Sequence, residues 1–229
     1  LPPPPIPGLP AVPPAYRGQF NVWVASILSF PVSGVLPAEF LELSQDSLLA
    51  MRAYFRGLIA ERRRHPHDDL LGRLVEAETD GDRLTEAELM TTSVTLLIAG
   101  YETTTTLITN GLYSLLRHPD QPHLLRDDPN LMPPAIEAIL RFESPLQRNP
   151  PRVAEDLLYA GQDMKAGDFL LQLLGAANRD PAVFPDPDRF DIARKPNRHV
   201  AFGQGVHFCL GAPLAGVEAP IAIRSVLTR

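Results

Sequence analysis

The chain has 229 residues, of which 45% are hydrophobic and 21% are charged, a balance typical of globular proteins with a sizeable core. Its formal charge of −6 has no long blocks of one sign, which argues against nucleic-acid binding. A single cysteine, Cys209, excludes an internal disulfide framework and favours a reducing cytoplasm. No signal-peptide pattern begins at Leu1, and no apolar run is long enough to span a membrane.

Proline dominates the first segment. Eight of the 25 prolines lie within residues 1–14, a density that cannot sustain a helix. We therefore expect an irregular tail over residues 1–20 and one folded domain over residues 21–229.

Helical patterns fill the first half of the remaining sequence. Apolar residues recur at helical spacing from Ser44 until Arg62–Arg64, where cations suit a helix C-terminus. Thr85 and Glu88 form a capping-box pattern that opens a second, proline-free stretch ending at Arg117, about 45 Å long at 1.5 Å per residue. A helix of that length crosses a whole domain, so its middle is expected to be buried.

The second half is more irregular. A short helix is predicted from Pro133 to Phe142, because proline suits the first turn of a helix. Short apolar runs between Val153 and Leu174 flank two turn sequences and predict small strands. The proline-rich segment Asp180–Pro196 reads as a long loop. The predicted fold class is thus mainly α with a small β component.

The only cysteine lies in a glycine-rich loop, Phe202–Gly211, just before an apolar helix that opens with Pro213. Glycines allow close approach of the backbone to a ligand, and a helix N-terminus stabilises a thiolate, the form of cysteine that binds metals or attacks electrophiles. A lone cysteine is often an inert small hydrophobe, and a cysteine hydrolase stays open. A structural zinc site would need further cysteines or clustered histidines, and only His207 is near in sequence.

The loop resembles the haem-binding signature of the cytochrome P450 family: phenylalanine, glycine, a basic residue two before cysteine, then glycine. The long helix carries Ala99–Thr104, which is similar to the family's oxygen-activating motif. Further similarity covers Asn178–Pro181 and Pro187–Phe190. The resemblance implies a partial P450 fold, the C-terminal half of a bacterial-type enzyme truncated at both ends.

The resemblance also implies residue roles. Cys209 becomes the iron ligand of haem b, and Glu102 and Thr103 become the catalytic residues that relay protons. The positions implied to contact the cofactor are Arg152, Phe202, Gly203, His207 and Gly211.

The implied activity is insertion of one oxygen atom from O2 into a small apolar substrate. Electrons would come from a ferredoxin or flavoprotein, because the sequence has neither a cysteine cluster nor a nucleotide fingerprint. Nucleic acid is not an expected partner. The alternative is a non-catalytic or decayed haem-binding protein.

Two positions depart from the family pattern. Ala138 stands where a glutamate is expected to pair with Arg141 and with the buried side chain of Arg189. Glu137 is the nearest candidate to replace that glutamate, because it lies four residues before Arg141 on the predicted helix. Gly216 stands where arginine is expected, and glycine weakens a helix.

Overall fold

The computed structural model describes residues 16–28, 38–79 and 84–228. The helices are α1 (Arg17–Leu28), α2 (Ala38–Arg64), α3 (Leu70–Thr79), α4 (Glu86–Arg117), α5 (Asp120–Asp127), α6 (Met132–Phe142), α7 (Leu174–Ala177) and α8 (Ala212–Leu227). Two strands, β1 (Leu157–Tyr159) and β2 (Gln162–Met164), pair antiparallel. The mainly α prediction with a small β component is confirmed.

The proline-rich tail was predicted to end at residue 20. Residues 1–15 lie outside the described residues, and α1 already begins at Arg17, so residues 17–20 are helical. The correction has a simple cause, since the last proline of the segment is Pro14 and the residues after it are free to form a helix. The chain divides into two compact units, residues 1–102 and 103–229, with the boundary inside α4.

The first unit has its own apolar core. Phe20 and Trp23 of α1 are buried, and both rings contact Tyr54 of α2. Buried Leu71 of α3 and Leu89 of α4 belong to the same cluster. The described helices include none that is long and apolar enough to cross a membrane.

A buried ion pair joins the end of α2 to the start of α3. Arg62 is 8% exposed, and its Nε and Nη2 atoms donate to Asp69 Oδ2 at 3.0 and 2.8 Å. The other carboxylate oxygen, Asp69 Oδ1, accepts from the Gly72 N–H at 2.7 Å and so caps α3. The basic residue that the sequence places at a helix end is therefore fixed by a specific carboxylate.

Helix α4 is the long helix predicted from the sequence. Its capping box is formed as expected: Thr85 Oγ1 accepts from Glu88 N, and Glu88 Oε2 accepts from Thr85 N at 2.7 Å. The expectation that its middle is buried holds for one face only, because Leu97 and Leu107 are buried whereas Glu102 and Thr103 are exposed. A helical pattern gives the apolar face of a helix, whereas burial also depends on which elements pack against it.

The second unit is built around α6 and α8. Gly111 of α4 lies at the tightest point of the packing. A Cβ atom at this position would come within 2.9 Å of Ile223 Cδ1 and 3.0 Å of Ile139 Cδ1. Ile139 and Ile223 are fully buried. The close approach of α4, α6 and α8 fixes the helix that follows the cysteine loop.

The irregular part of this unit follows the sequence prediction. Besides β1 and β2, isolated bridges join Asn149 to Gln172 and Arg152 to Phe169, which confirms a minor sheet between Val153 and Leu174. Residues 180–196 form turns without helix or strand, as predicted for this loop.

Candidate functional site

The cysteine loop connects the irregular segment to α8. It bends at Gly203 (φ 69°) and Gly205 (φ 71°), backbone conformations that favour glycine, and a single 3-10 turn covers Gly205–His207. The Cys209 N–H donates to the Phe202 carbonyl at 2.9 Å. The loop is therefore closed across its base, and the cysteine is held at a fixed point.

The sulfur lies at the N-terminus of a 16-residue helix. Helix α8 begins at Ala212, with Gly211 as its N-cap residue and Pro213 in its first turn. A Cβ atom at Gly211 would lie 3.9 Å from Cys209 Sγ, so the sulfur is next to the helix start. The positive end of the helix dipole stabilises an anion at this position, and Cys209 is exposed. This arrangement suits a thiolate that binds a partner from outside the loop.

Apolar side chains surround the cysteine on the loop. Phe208 is 54% exposed, Leu210 is 84% exposed and Val206 is 97% exposed. Exposed apolar groups that cluster around one polar atom mark a binding surface. The ring of Phe202 lies 6.1 Å from that of Phe208, so an aromatic pair stands on the cysteine side of the loop.

Two residues outside the predicted cofactor contacts hold the loop in place. Asn178 is fully buried, and its Oδ1 accepts from the Val200 N–H at 2.8 Å. His199 packs 6.0 Å from the Phe202 ring, and its Nδ1 accepts from the Ala201 N–H at 3.2 Å. Neither contact has a local sequence signal, because Asn178 lies 22 residues before Val200.

The remaining predicted cofactor contacts are placed as follows. The Arg152 guanidinium is exposed, lies 4.1 Å from the Phe169 ring centroid and donates to the Gly167 carbonyl at 3.2 Å. His207 is exposed at the end of the 3-10 turn. The Arg152 guanidinium and the His207 imidazole are both accessible to an acidic ligand. Glu102 and Thr103 are exposed on α4.

The expected replacement of the missing glutamate does not occur. Glu137 Oε2 lies 2.9 Å from His199 Nε2, and Glu137 makes no ion pair with Arg141. Position 137 points about 100° away from position 138 around the helix, which directs its carboxylate to the loop. Arg189 is also exposed rather than buried with Arg141, and only its backbone carbonyl accepts from Arg141, at 3.0 Å.

Arg141 is consequently a buried cation with backbone partners. It is 1% exposed and donates to the carbonyls of Asn178, Pro187 and Arg189 at 2.8–3.1 Å. Burial, together with the nearby charges of Arg194 and Arg179, lowers the pKa of Arg141 to about 10. The guanidinium still organises the segment that leads to the cysteine loop, since it binds Asn178.

Helix α8 forms despite Gly216, and Pro220 also lies inside it. A Cβ atom at Gly216 would meet nothing within 4 Å, so the glycine is not required for close packing. Nothing in the structure explains the glycine.

The side chains available as metal ligands distinguish between classes of metal site. The described residues contain no group of three or more His, Cys, Asp or Glu side chains that could hold a metal ion. Cys209 therefore has no protein co-ligands there, and a zinc site of several side chains is not formed. A single exposed cysteine within an apolar surface would suit the iron of a cofactor that brings its other ligands with it.

Comparison with known proteins gives a consistent picture. The profile of the family described as Cytochrome P450 matches residues 19–128 and 126–229. The Biotin biosynthesis cytochrome P450 of Bacillus subtilis (strain 168) is 42% identical over 224 residues, which cover 95% of this chain and 55% of that protein. The 6-deoxyerythronolide B hydroxylase of Saccharopolyspora erythraea is 40% identical, with 93% of this chain and 52% of that protein covered.

The fold agrees with a solved structure. A crystal structure of CYP109E1 from Bacillus megaterium in complex with testosterone superposes with a TM-score of 0.88 at 39% identity, covering 98% of this chain and 58% of that one. The chain thus spans about half the length of the relatives it matches.

Proposed function

Because the chain belongs to the cytochrome P450 family, whose cofactor is haem b, we propose that it is part of a haem-thiolate monooxygenase with Cys209 as the iron ligand. The observation that carries this proposal is the position of Cys209 Sγ, exposed beside the N-terminus of α8 and surrounded by exposed apolar side chains. When bound, haem supplies the activation of O2 and the transfer of one oxygen atom.

The residues of the chain hold and surround that group. The start of α8 lies beside Cys209, and Gly203 and Gly211 would leave the backbone close to the bound group. Phe202 would pack near the sulfur and limit access of water, and Phe208 and Leu210 would offer apolar surface to the macrocycle. Arg152 and His207 would hold its acidic side chains by hydrogen bonds.

Protons are the second requirement of the reaction. A substrate RH, O2, two electrons and two protons give ROH and water, so two protons must reach the oxygen that leaves as water. We assign this task to Glu102 and Thr103, a carboxyl and a hydroxyl group on adjacent residues of α4 that can pass protons from solvent. Both side chains are exposed, which keeps them accessible to water.

The substrate class is a small apolar organic molecule. The relatives act on different molecules: one belongs to biotin biosynthesis, one hydroxylates 6-deoxyerythronolide B, and the crystal structure of CYP109E1 contains testosterone. Electrons come from a ferredoxin or flavoprotein in a reducing cytoplasm, where a single cysteine stays reduced and forms no disulfide.

Oxygen transfer can be tested without an electron donor. The haem-loaded chain is incubated with styrene and ¹⁸O-labelled hydrogen peroxide, and the product is measured by mass spectrometry. We expect styrene oxide that carries ¹⁸O, with water as the second product.

A Cys209→Ser variant loaded with the same amount of haem serves as the control, and it should give at least tenfold less epoxide. If the native chain binds haem but forms no more epoxide than this variant, the chain is a non-catalytic haem-binding protein and the monooxygenase proposal fails.

A further inference from the structure

A path of hydrogen bonds leads from α6 to the backbone of Cys209. Glu137 Oε2 lies 2.9 Å from His199 Nε2, and His199 Nδ1 accepts from the Ala201 N–H at 3.2 Å. On the next residue, the Phe202 carbonyl accepts from the Cys209 N–H at 2.9 Å. The histidine therefore lies in the middle of a path that connects a helix of the second unit with the residue that carries the sulfur.

The two contacts of His199 fix which ring nitrogen carries the proton. A nitrogen that accepts from a backbone N–H uses its lone pair, so Nδ1 is unprotonated and the ring N–H is on Nε2. This Nε2–H donates to the Glu137 carboxylate, which accepts hydrogen bonds and donates none when it is ionised. The opposite tautomer would turn an N–H toward the Ala201 N–H and a lone pair toward the carboxylate. Glu137 thus selects the tautomer that can hold Ala201.

The surroundings of His199 make its orientation matter for the loop. Its side chain is 5% exposed, whereas that of Glu137 is 52% exposed and reaches the histidine from the surface. The His199 ring lies 6.0 Å from the Phe202 ring, and the Phe202 ring lies 6.1 Å from that of Phe208. Ala201 and Phe202 also pack against the core of the second unit. His199 therefore contacts both the backbone and the aromatic pair at the base of the loop.

We propose that His199 is a positioning residue for Cys209. Its Nε2–H tautomer, selected by Glu137, holds the Ala201 amide. Its ring packs against Phe202, whose carbonyl binds the Cys209 N–H. The role rests on the proposed function of Cys209, because a side chain that ligates a metal has to be held in one orientation by the groups behind it.

Two substitutions separate the acceptor at Nδ1 from the donor at Nε2. Asparagine hydrogen-bonds readily to the backbone N–H two residues on, so His199→Asn keeps an acceptor for Ala201 and loses the contact with Glu137. Glutamine places its amide nitrogen near the position of Nε2, so His199→Gln keeps a donor to Glu137 and loses the acceptor for Ala201. A side chain that only filled space would make the two variants alike.

Hydrogen exchange of the chain without haem measures the effect on the backbone. Exchange at the Ala201 and Cys209 amides should become at least roughly tenfold faster in His199→Gln and stay within about threefold of the native rate in His199→Asn, because one hydrogen bond changes the equilibrium by about tenfold. Equal rates in the two variants would overturn the proposal.

The absorption spectrum of the reduced carbon monoxide complex measures the effect on the sulfur. The native chain and His199→Asn should both give the red-shifted Soret band of thiolate ligation, and most of His199→Gln should lack it. A native spectrum without the band contradicts the proposed function itself. A native chain and a His199→Gln variant with equal bands would overturn the positioning role alone.

Nuclear magnetic resonance of the native chain decides if neither His199 variant folds. In a chain with ¹⁵N-labelled histidine, the two ring nitrogens of His199 should show a protonated Nε2 and an unprotonated Nδ1, and a protonated Nδ1 would overturn the proposal. Glu137→Leu removes the acceptor and should raise the share of the Nδ1–H tautomer. Glu137→Gln is the matched control, because its amide oxygen still accepts. An identical tautomer in both variants would overturn the role of Glu137.

Discussion

Arg62 and Arg141 are both buried arginines, and they differ in what neutralises them. Arg62 binds the carboxylate of Asp69 with two nitrogen atoms, and its Nη1 lies 3.5 Å from Glu61 Oε2. Arg141 binds three backbone carbonyls and leaves its Nε unpaired. Hydrogen bonding to Asp69 raises the pKa of Arg62, whereas burial lowers the pKa of Arg141 to about 10. Each side chain belongs to its own unit of the chain.

The difference shows that burial and pairing are separate properties. A buried cation is tolerated when carbonyl dipoles surround it, and the charge on Arg141 is favoured by the nearby carboxylates of Asp188 and Asp191, which make no ion pair with it among the described residues. The first unit uses its arginine to join two helices. In the second unit, Arg141 binds the backbone segment that leads to the cysteine loop. A carboxylate placed beside Arg141 should therefore raise the stability of this unit.

The largest effect is expected from breaking the pair in the first unit. Asp69→Ala leaves buried Arg62 with only the more distant Glu61 carboxylate, 3.5 Å from its Nη1, and removes the cap of α3, which should lower the free energy of unfolding by about 2–4 kcal/mol. Urea unfolding measures this change. Asp69→Asn is the matched control, because its amide oxygen can still accept from the Gly72 N–H. A loss below about 1 kcal/mol in Asp69→Ala would contradict the importance of the pair.

In the second unit, the test adds a carboxylate beside a buried arginine instead of removing one. Ala138 is 1% exposed and lies three residues before Arg141, on the same side of α6. Ala138→Glu places a carboxylate within reach of Arg141 and should raise the free energy of unfolding by about 1.5–3 kcal/mol.

Ala135→Glu is the control for that variant. Ala135 is also fully buried on α6 but lies six residues before Arg141, so a glutamate there has no such partner. It should destabilise the chain. Equal destabilisation by both glutamates in urea unfolding would show that Arg141 does not need a carboxylate.

Lowering the pH should weaken the ion pair between Arg62 and Asp69. The pKa of Asp69 lies below its ordinary value of 3.8: burial works to raise it, but hydrogen bonds from Arg62 and Gly72 outweigh burial. The folded state therefore binds the proton less readily than the unfolded state. The stability due to Asp69 is fully present above pH 3.8 and is lost as pH falls through the lower folded-state pKa.

Urea unfolding of the native chain and Asp69→Asn at pH 7 and at pH 2–3 checks this direction. The stability gap between the two proteins should narrow in acid. A gap that is the same at both pH values would contradict the assignment.

The smallest effect concerns Glu137. Its carboxylate is half exposed and meets His199 at 2.9 Å, so Glu137→Gln should change the free energy of unfolding by only about 0–1 kcal/mol. Chemical unfolding of this variant, compared with Ala138→Glu, tests whether the two neighbouring positions have different roles. A loss above about 2 kcal/mol would mean that Glu137 also supports Arg141.

Local signals predicted much of the fold. The capping box at Thr85 and Glu88 marked the start of α4, and prolines marked the start of α6 and of α8, because each of these signals acts within one helical turn. The glycines around Cys209 predicted a loop with unusual backbone dihedrals for the same reason, and Gly203 and Gly205 have positive φ.

Contacts between distant residues could not be predicted in this way. The partner of Glu137 proved to be His199, 62 positions later, and the loop depends on Asn178, whose importance no nearby residue indicates. The exposure of Glu102 and Thr103 in the middle of α4 has a similar cause, since a helical residue is buried only when another element covers its face of the helix. The roles of Glu102, Thr103, Arg152 and His207 at the cofactor stay predictions.

The most direct test of the account is the absorption spectrum of the haem-loaded chain after reduction and addition of carbon monoxide. Ligation by the Cys209 thiolate predicts the strongly red-shifted Soret band that is diagnostic of a thiolate trans to carbon monoxide, and its loss in Cys209→Ser. A native spectrum without that band, or a Cys209→Ser variant that retains it, would contradict the assignment of Cys209 as the iron ligand.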